Sequence, residues 1–159
     1  MIKEINIKVK LSGDDIQIPY YKNIGDSGFD LRSGICTYVE FGKITKIPTG
    51  LYFELPDQNE TFPFTLEMQI RPRSGLAAKE GIMVVNGPGT IDNIYRGEII
   101  VLLTKCKNDD KKFFINKGER IAQAVICPVF CSNIINFIKV DELNETERGD
   151  RGFGSSGLK

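Results

Sequence analysis

The run Arg148-Gly149-Asp150-Arg151-Gly152-Phe153-Gly154-Ser155-Ser156-Gly157 places two guanidinium groups, two hydroxyls, one aromatic ring and four glycines within ten positions. Gly152, Gly154 and Gly157 satisfy the G-x-G-x-x-G spacing of a dinucleotide-binding turn. That turn needs a strand leading in and a helix leading out, and neither fits this context. What remains reads as a mobile arm. Its glycines permit close backbone approach, its arginines suit phosphate, and Phe153 offers a face to a flat ring. The expected ligand is phosphorylated and flat-ringed; the alternative is a polar chain end that frays.

Three further segments carry candidate chemistry. Arg71-Pro72-Arg73-Ser74-Gly75 stands where a strand hands over to a short helix over 74–81. Free backbone N–H groups at a helix start suit phosphate, with Arg73 and Ser74 adding to them; Ser74 as a simple N-cap is the other reading, with Gly81 as the stop. Segment 86–98 predicts a β-hairpin with Asp92-Asn93-Ile94-Tyr95 at its bend. An Asp in a turn is ordinarily a turn-former. The chain contains no histidine, so the Asp92 carboxylate is also the candidate to activate a water. Gly25-Asp26-Ser27-Gly28-Phe29-Asp30-Leu31 supplies a second acidic site, where a carboxylate meets Mg²⁺ directly or through its waters, or else a turn followed by a strand. Gln123 is the one polar residue inside the apolar run after the turn 117–120.

The elements that must position these groups are strands. Period-two or β-rich runs occur at 5–11, 36–41, 51–55, 62–70, 98–104, 112–115, 120–130 and 134–140, separated by Gly, Pro, Asn and Asp. The expectation is an all-β fold, a distorted jelly-roll barrel or sandwich with one short helix. The chain of 159 residues divides into a body over 1–143 and an arm over 144–159. Lys plus Arg and Asp plus Glu balance at 21 each, which argues against non-specific nucleic-acid binding. With Cys36, Cys106, Cys127 and Cys131 but no CxxC pair and no histidine, Cys/His zinc sites and histidine-based triads are excluded. Buried reduced thiols are expected. No run suits a signal peptide or membrane span, so a cytoplasmic protein with no membrane partner is expected.

In chain order these segments resemble the five motifs of the trimeric dUTP diphosphatase (dUTPase) family. They are Gly28-Phe29-Asp30-Leu31; Arg71-Pro72-Arg73-Ser74-Gly75-Leu76-Ala77; Gly89-Thr90-Ile91-Asp92 with Tyr95-Arg96-Gly97-Glu98; Gly118-Glu119-Arg120-Ile121-Ala122-Gln123; and Arg148-Gly149 with Gly152-Phe153-Gly154-Ser155-Ser156-Gly157. The resemblance implies a jelly-roll homotrimer with shared active sites that hydrolyses dUTP to dUMP and pyrophosphate with Mg²⁺. It implies that Asp92 deprotonates the attacking water and that Tyr95 lies under the deoxyribose. Asn86, Gly89, Thr90, Ile91 and the return strand at Ile100 would read uracil. Arg73, Ser74, Gly75 and Gln123 would hold phosphates, and Asp30 would hold waters of the Mg²⁺ shell. In the arm, Phe153 would stack on uracil while Arg148, Gly154, Ser155 and Ser156 grip the γ-phosphate.

Ile94 stands where many relatives carry an acidic residue, and no role is placed on it. The stretch 56–64 is longer than usual in the family and reads as a hairpin or surface loop away from the chemistry. The nearest rival resemblance is to dCTP deaminase, which needs a Glu on the return strand ten positions after the hairpin aspartate. Leu102 stands there and cannot move a proton. A non-catalytic jelly-roll binding protein is the rival from another class; it gives no reason for Asp92, Tyr95 and the Gly-Phe-Gly arm to coexist.

Overall fold

The computed structural model describes residues 4–57, 64–130 and 134–152. Its strands are β1 (Lys8–Leu11), β2 (Phe29–Arg32), β3 (Thr37–Val39), β4 (Thr45–Glu54), β5 (Thr65–Arg71), β6 (Ile82–Val84), β7 (Gly89–Ile91), β8 (Glu98–Lys105), β9 (Phe113–Ile115) and β10 (Arg120–Val129), with helix α1 (Ser74–Glu80) between β5 and β6. Strict alternation builds the longer strands. In β5, Leu66, Met68 and Ile70 are buried while the residues between them are half-exposed, and β8 buries Ile99, Val101, Leu103 and Lys105 in the same way. One face of each strand is therefore core.

Two antiparallel four-stranded sheets, ordered β1-β4-β8-β6 and β2-β10-β5-β7, are joined by a two-stranded ribbon, β3-β9. Together they form the distorted all-β jelly roll. Leu31, Met68, Ile121 and Ala124 of one sheet form a single apolar cluster with Ile47, Val101 and Leu103 of the other. β4 is interrupted by a bulge between Pro48 and Tyr52, where Gly50 takes φ 75° and its N–H donates to Glu98 Oε1 at 2.8 Å. A bulge of this kind bends the strand and re-aims its neighbours.

Several sequence expectations are corrected. Ser74 does not cap α1. The N-cap is Arg73 in an extended conformation, with no side-chain cap bond, and Ser74 is the first helical residue. Gly81 ends the helix as expected, in the left-handed region. The run 134–140 forms no strand; Phe137 and Ile138 are 94% and 76% exposed. Apolar composition alone does not make a strand, because a ladder needs a partner for its backbone groups. The thiols are free but not buried: Cys36 and Cys106 are exposed and Cys127 is half-exposed. They sit at strand ends or on an outward strand position. Cys131 lies outside the described residues. Strand β6 and the first half of β4 were not expected.

Lys105 sits in the core face of β8, 2% exposed. Its ammonium donates to Asp109 Oδ1 and to the Lys111 carbonyl at 2.8 Å, so the turn after β8 folds back onto the strand that launches it. The hydrogen bond from Lys105, ahead of all other causes, holds the Asp109 carboxyl below its ordinary value. A depressed carboxyl contributes stability above its unfolded pKa and loses it as pH falls through the folded one. Asp109→Asn should lower Tm at pH 7, and the gap from wild type should close as pH drops below about 4. Thermal melts of both proteins from pH 7 to pH 3 check this; a gap that does not narrow at all by pH 3 would mean the charge of Asp109 is not what stabilises.

Candidate active site

β10 is hydrogen-bonded on both edges, to β2 and to β5. Gln123 faces Asp30 across one edge and Arg71 across the other. This register brings together four residues that are far apart in sequence. Arg73 Nε meets Asp30 Oδ1 at 2.9 Å and Arg120 Nη1 meets Asp30 Oδ2 at 3.3 Å. Arg73 Nη1 donates to the Arg120 carbonyl at 2.9 Å, and Gln123 Nε2 donates to the Pro72 carbonyl at 2.9 Å. Two guanidinium groups on one carboxylate leave a net positive centre, suited to an anion. Ser74 and Gly75 are exposed beside it, in a first helical turn whose N–H groups lack helical carbonyl partners. A cavity of about 240 Å³ lined by Tyr20, Lys22, Ser27, Asp30 and Gln123 opens alongside.

Both Asp30 oxygens already accept charge-assisted bonds, and no group of three or more Cys, Asp or Glu able to hold a metal occurs among the described residues. The donor set fits a divalent cation that arrives on a phosphate with its water shell. It does not fit one caged by the protein. Each carboxylate oxygen has a further lone pair that can accept from such a water.

The second cluster is the segment after β6. The β-hairpin expected over 86–98 is not formed: β7 pairs with β5 and β8 with β4 and β6, so the chain crosses from one sheet to the other in the turn after Ile91. Asn86 sits at the start of the segment with its amide against Gly89, where an added Cβ would lie 3.0 Å from Asn86 Nδ2. Gly89, Thr90 and Ile91 form β7 against Ile70, Gln69 and Met68. Thr90 is exposed, while Ile91 is half-buried and packs on the core. A turn closed by Tyr95 N–H to the Asp92 carbonyl at 3.0 Å follows. Its tip is anchored: buried Asn93 donates to the Pro56 carbonyl at 2.9 Å, and Arg96 Nη1 donates to the Asn93 and Tyr95 carbonyls. The Asp92 side chain is exposed, and among the described residues none donates to its carboxylate. Tyr95 is 43% exposed, and its hydroxyl donates to the Glu98 carbonyl at 3.0 Å. Ile100 is on the outward face of β8, opposite Pro48.

Within one chain these two clusters do not meet. Ile91 faces Met68, so Asp92 comes level with Glu67, four residues along β5 from the Arg71–Gln123 pair. At about 3.3 Å per residue that is a separation of roughly 13 Å. Arg148 lies further off in sequence, in an exposed turn where its Nε donates to the Arg151 carbonyl at 3.0 Å. Phe153, Gly154, Ser155 and Ser156 lie outside the described residues.

A family model described as dUTPase matches residues 14–157. The chain belongs to the dUTPase family. Similar proteins include the deoxyuridine 5'-triphosphate nucleotidohydrolase of Nautilia profundicola, 48% identical over 153 residues that cover 96% of this chain and 99% of the relative. That of Neorickettsia sennetsu is 46% identical over 149 residues, covering 92% of each. Among solved structures, a variant of the dUTPase of phage 80alpha is similar with a TM-score of 0.80 and 26% identity, covering 95% of this chain and 98% of the other.

Beside the family motifs, sequence reasoning missed the residues that brace them. Arg120 stands inside the fourth motif with no role placed on it, yet it shares Asp30 with Arg73. Asn93 and Arg96 anchor the turn between β7 and β8 by bonding to backbone carbonyls, which leave no trace in residue type. The one available signal was Asn93, a polar residue at a turn that turns out to be buried.

Proposed function

We propose that this chain is a Mg²⁺-dependent dUTP diphosphatase that hydrolyses dUTP to dUMP and pyrophosphate. The observation that carries the reading is the Asp92 carboxylate. It is exposed at a braced turn between the two sheets, three residues from Tyr95 and directly after the β7 segment, in a chain without histidine. Asp92 takes a proton from water, the water oxygen bonds to the α-phosphorus, and the bond from that phosphorus to the α,β-bridging oxygen breaks. The electron pair leaves on pyrophosphate. Arg73, Ser74, Gly75 and Gln123 hold the phosphates, and Arg148, Gly154, Ser155 and Ser156 join them from the arm. Mg²⁺, when bound, would supply charge neutralisation on the phosphate oxygens, and Asp30 would accept hydrogen bonds from its waters.

Asn86 and the backbone of Gly89, Thr90, Ile91 and Ile100 read the uracil edge, with Phe153 stacked on the ring. Cytosine offers the opposite donor pattern and would leave polar groups unpaired. Tyr95 forms the floor under the deoxyribose and leaves no room for a 2′-hydroxyl. The body over 1–143 carries the fixed parts and 144–159 supplies the closing arm. The roughly 13 Å between Asp92 and the phosphate cluster in one chain favours a site shared between subunits of a homotrimer, since the α- and γ-phosphates of one nucleotide are much closer together than that. The level of formal charge, zero at pH 7, argues against a nucleic-acid partner. Among the described residues no helix is long and apolar enough to cross a membrane; a cytoplasmic site of action accords with a nucleotide substrate.

A panel of dUTP, UTP, dCTP and dTTP tests the function. Pyrophosphate should be released from dUTP in preference to the others and should depend on Mg²⁺. Ammonia release from dCTP would favour the deaminase reading, which half-buried Leu102 on β8 argues against. Asp92→Asn should retain nucleotide binding and lose about 10²–10⁴ in kcat, the usual contribution of a positioned general base; near-normal kcat would remove Asp92 from that role.

Sharing of the site has its own test. Asp92→Asn and a chain ending at Glu147 should each be inactive, and a mixture refolded at equal amounts should recover activity. With base and arm drawn from different subunits of a closed ring, about one quarter of sites regain both. A mixture that stays at background after subunit exchange is verified by mass would place base and arm on the same chain.

A further inference from the structure

We propose that Gly97 and Glu98 are positioning residues that fix the height of the Tyr95 ring, so that selection against ribonucleotides depends on two residues that need not touch the nucleotide. The inference rests on the reading of Tyr95 as the floor beneath the deoxyribose.

The phenolic half of the ring lies across Gly97. A Cβ added at position 97 would stand 2.3 Å from Tyr95 Oη, 2.5 Å from Cζ and 3.0 Å from Cε2. Gly97 is not among the glycines with positive φ, so its backbone is one that alanine can adopt. The ring, and no backbone demand, is therefore what excludes a side chain there. To clear an alanine methyl at ordinary contact distance the ring must withdraw by about 1 Å.

The ring's tip is fixed from the other side. Its hydroxyl donates to the Glu98 carbonyl at 3.0 Å, and Glu98 is itself held onto the neighbouring strand. Glu98 Oε1 accepts the Gly50 N–H at 2.8 Å, and in the same bulge of β4 the Thr49 hydroxyl donates to the Ile99 carbonyl at 2.8 Å. Tyr95 is thus seated on Gly97 and tied to a backbone carbonyl whose residue is clamped to β4. Rejecting a single added hydroxyl requires a floor that does not yield, and a displacement of about 1 Å is enough to change rates by up to 10²-fold.

The test is the ratio of kcat/KM for dUTP to that for UTP, measured alongside Tm. Gly97→Ala should lower the ratio by about tenfold or more, because the displaced ring no longer holds a fixed height, with Tm close to wild type. Glu98→Leu should lower the ratio in the same direction. Glu98→Gln should restore it, because the amide oxygen still accepts from Gly50. The double variant Tyr95→Ala/Gly97→Ala should discriminate no worse than Tyr95→Ala alone, since Gly97 acts only through the ring. A wild-type ratio in Gly97→Ala, with the ratio collapsed in Tyr95→Ala, overturns the inference and leaves the floor reading intact. An unchanged ratio in Tyr95→Ala overturns the floor reading itself. If Gly97→Ala does not fold, the Glu98 pair decides: equal ratios in Glu98→Leu and wild type overturn the proposal.

Discussion

The two-sided pairing of β10 is the constraint on which the phosphate-type cluster depends. Residues 120–124 pair with β2 along one edge and residues 123–129 with β5 along the other, so Gln123 and Ala124 are paired on both. That requires small or flat residues where the core is tightest, and Ala122 and Ala124 are fully buried there. Because both edges are in fixed register, Gln123 has no freedom to face anything except Asp30 and Arg71. A slip of one residue would turn Gln123 into the core and Ala124 outward. The position of the one polar side chain in that run is therefore set by the apolar packing of its neighbours.

The Asp30 carboxylate gives this cluster its rigidity. It lies between two guanidinium groups, and all three side chains are less exposed than the pair Lys8–Glu54 on β1 and β4, exposed by 78% and 46%. An exposed pair of the latter kind adds little. The former holds Arg73 against the Arg120 backbone before any anion arrives, so little side-chain freedom is left to lose on binding. The same arrangement explains why the carboxylate is better suited to a hydrated cation than to direct ligation.

The sequence conveyed the fold class and most strands, because period-two burial is written directly into residue type. It conveyed β5, β8 and β10 to within a few residues. It failed where a partner decides. The run 134–140 has strand composition and no ladder in this chain, while β6 is too short to show a period. Ser74 has the composition of a cap, but Arg73 occupies the cap in an extended conformation, with its side chain engaged with Asp30. Asp92, Tyr95, Arg73, Asp30 and Gln123 could be picked out as chemically unusual. Their braces could not, since the side chains of Glu98, Asn93 and Arg96 bond to backbone N–H and carbonyl groups that every residue carries.

Within a single chain the groups differ in how completely they are satisfied, and that difference follows their roles. The phosphate-type cluster is cross-bonded and can receive an anion with little rearrangement. At the turn between β7 and β8, Asn93, Arg96 and Glu98 are all engaged while the Asp92 carboxylate faces solvent with no described donor on it. A general base must keep its lone pairs open for the proton it takes, so bracing has to act on the backbone around it. The turn does this: every anchor of the 92–98 segment reaches a carbonyl or an N–H, and the carboxylate is left out of the network. The turn is held for the same reason that Asp92 is available.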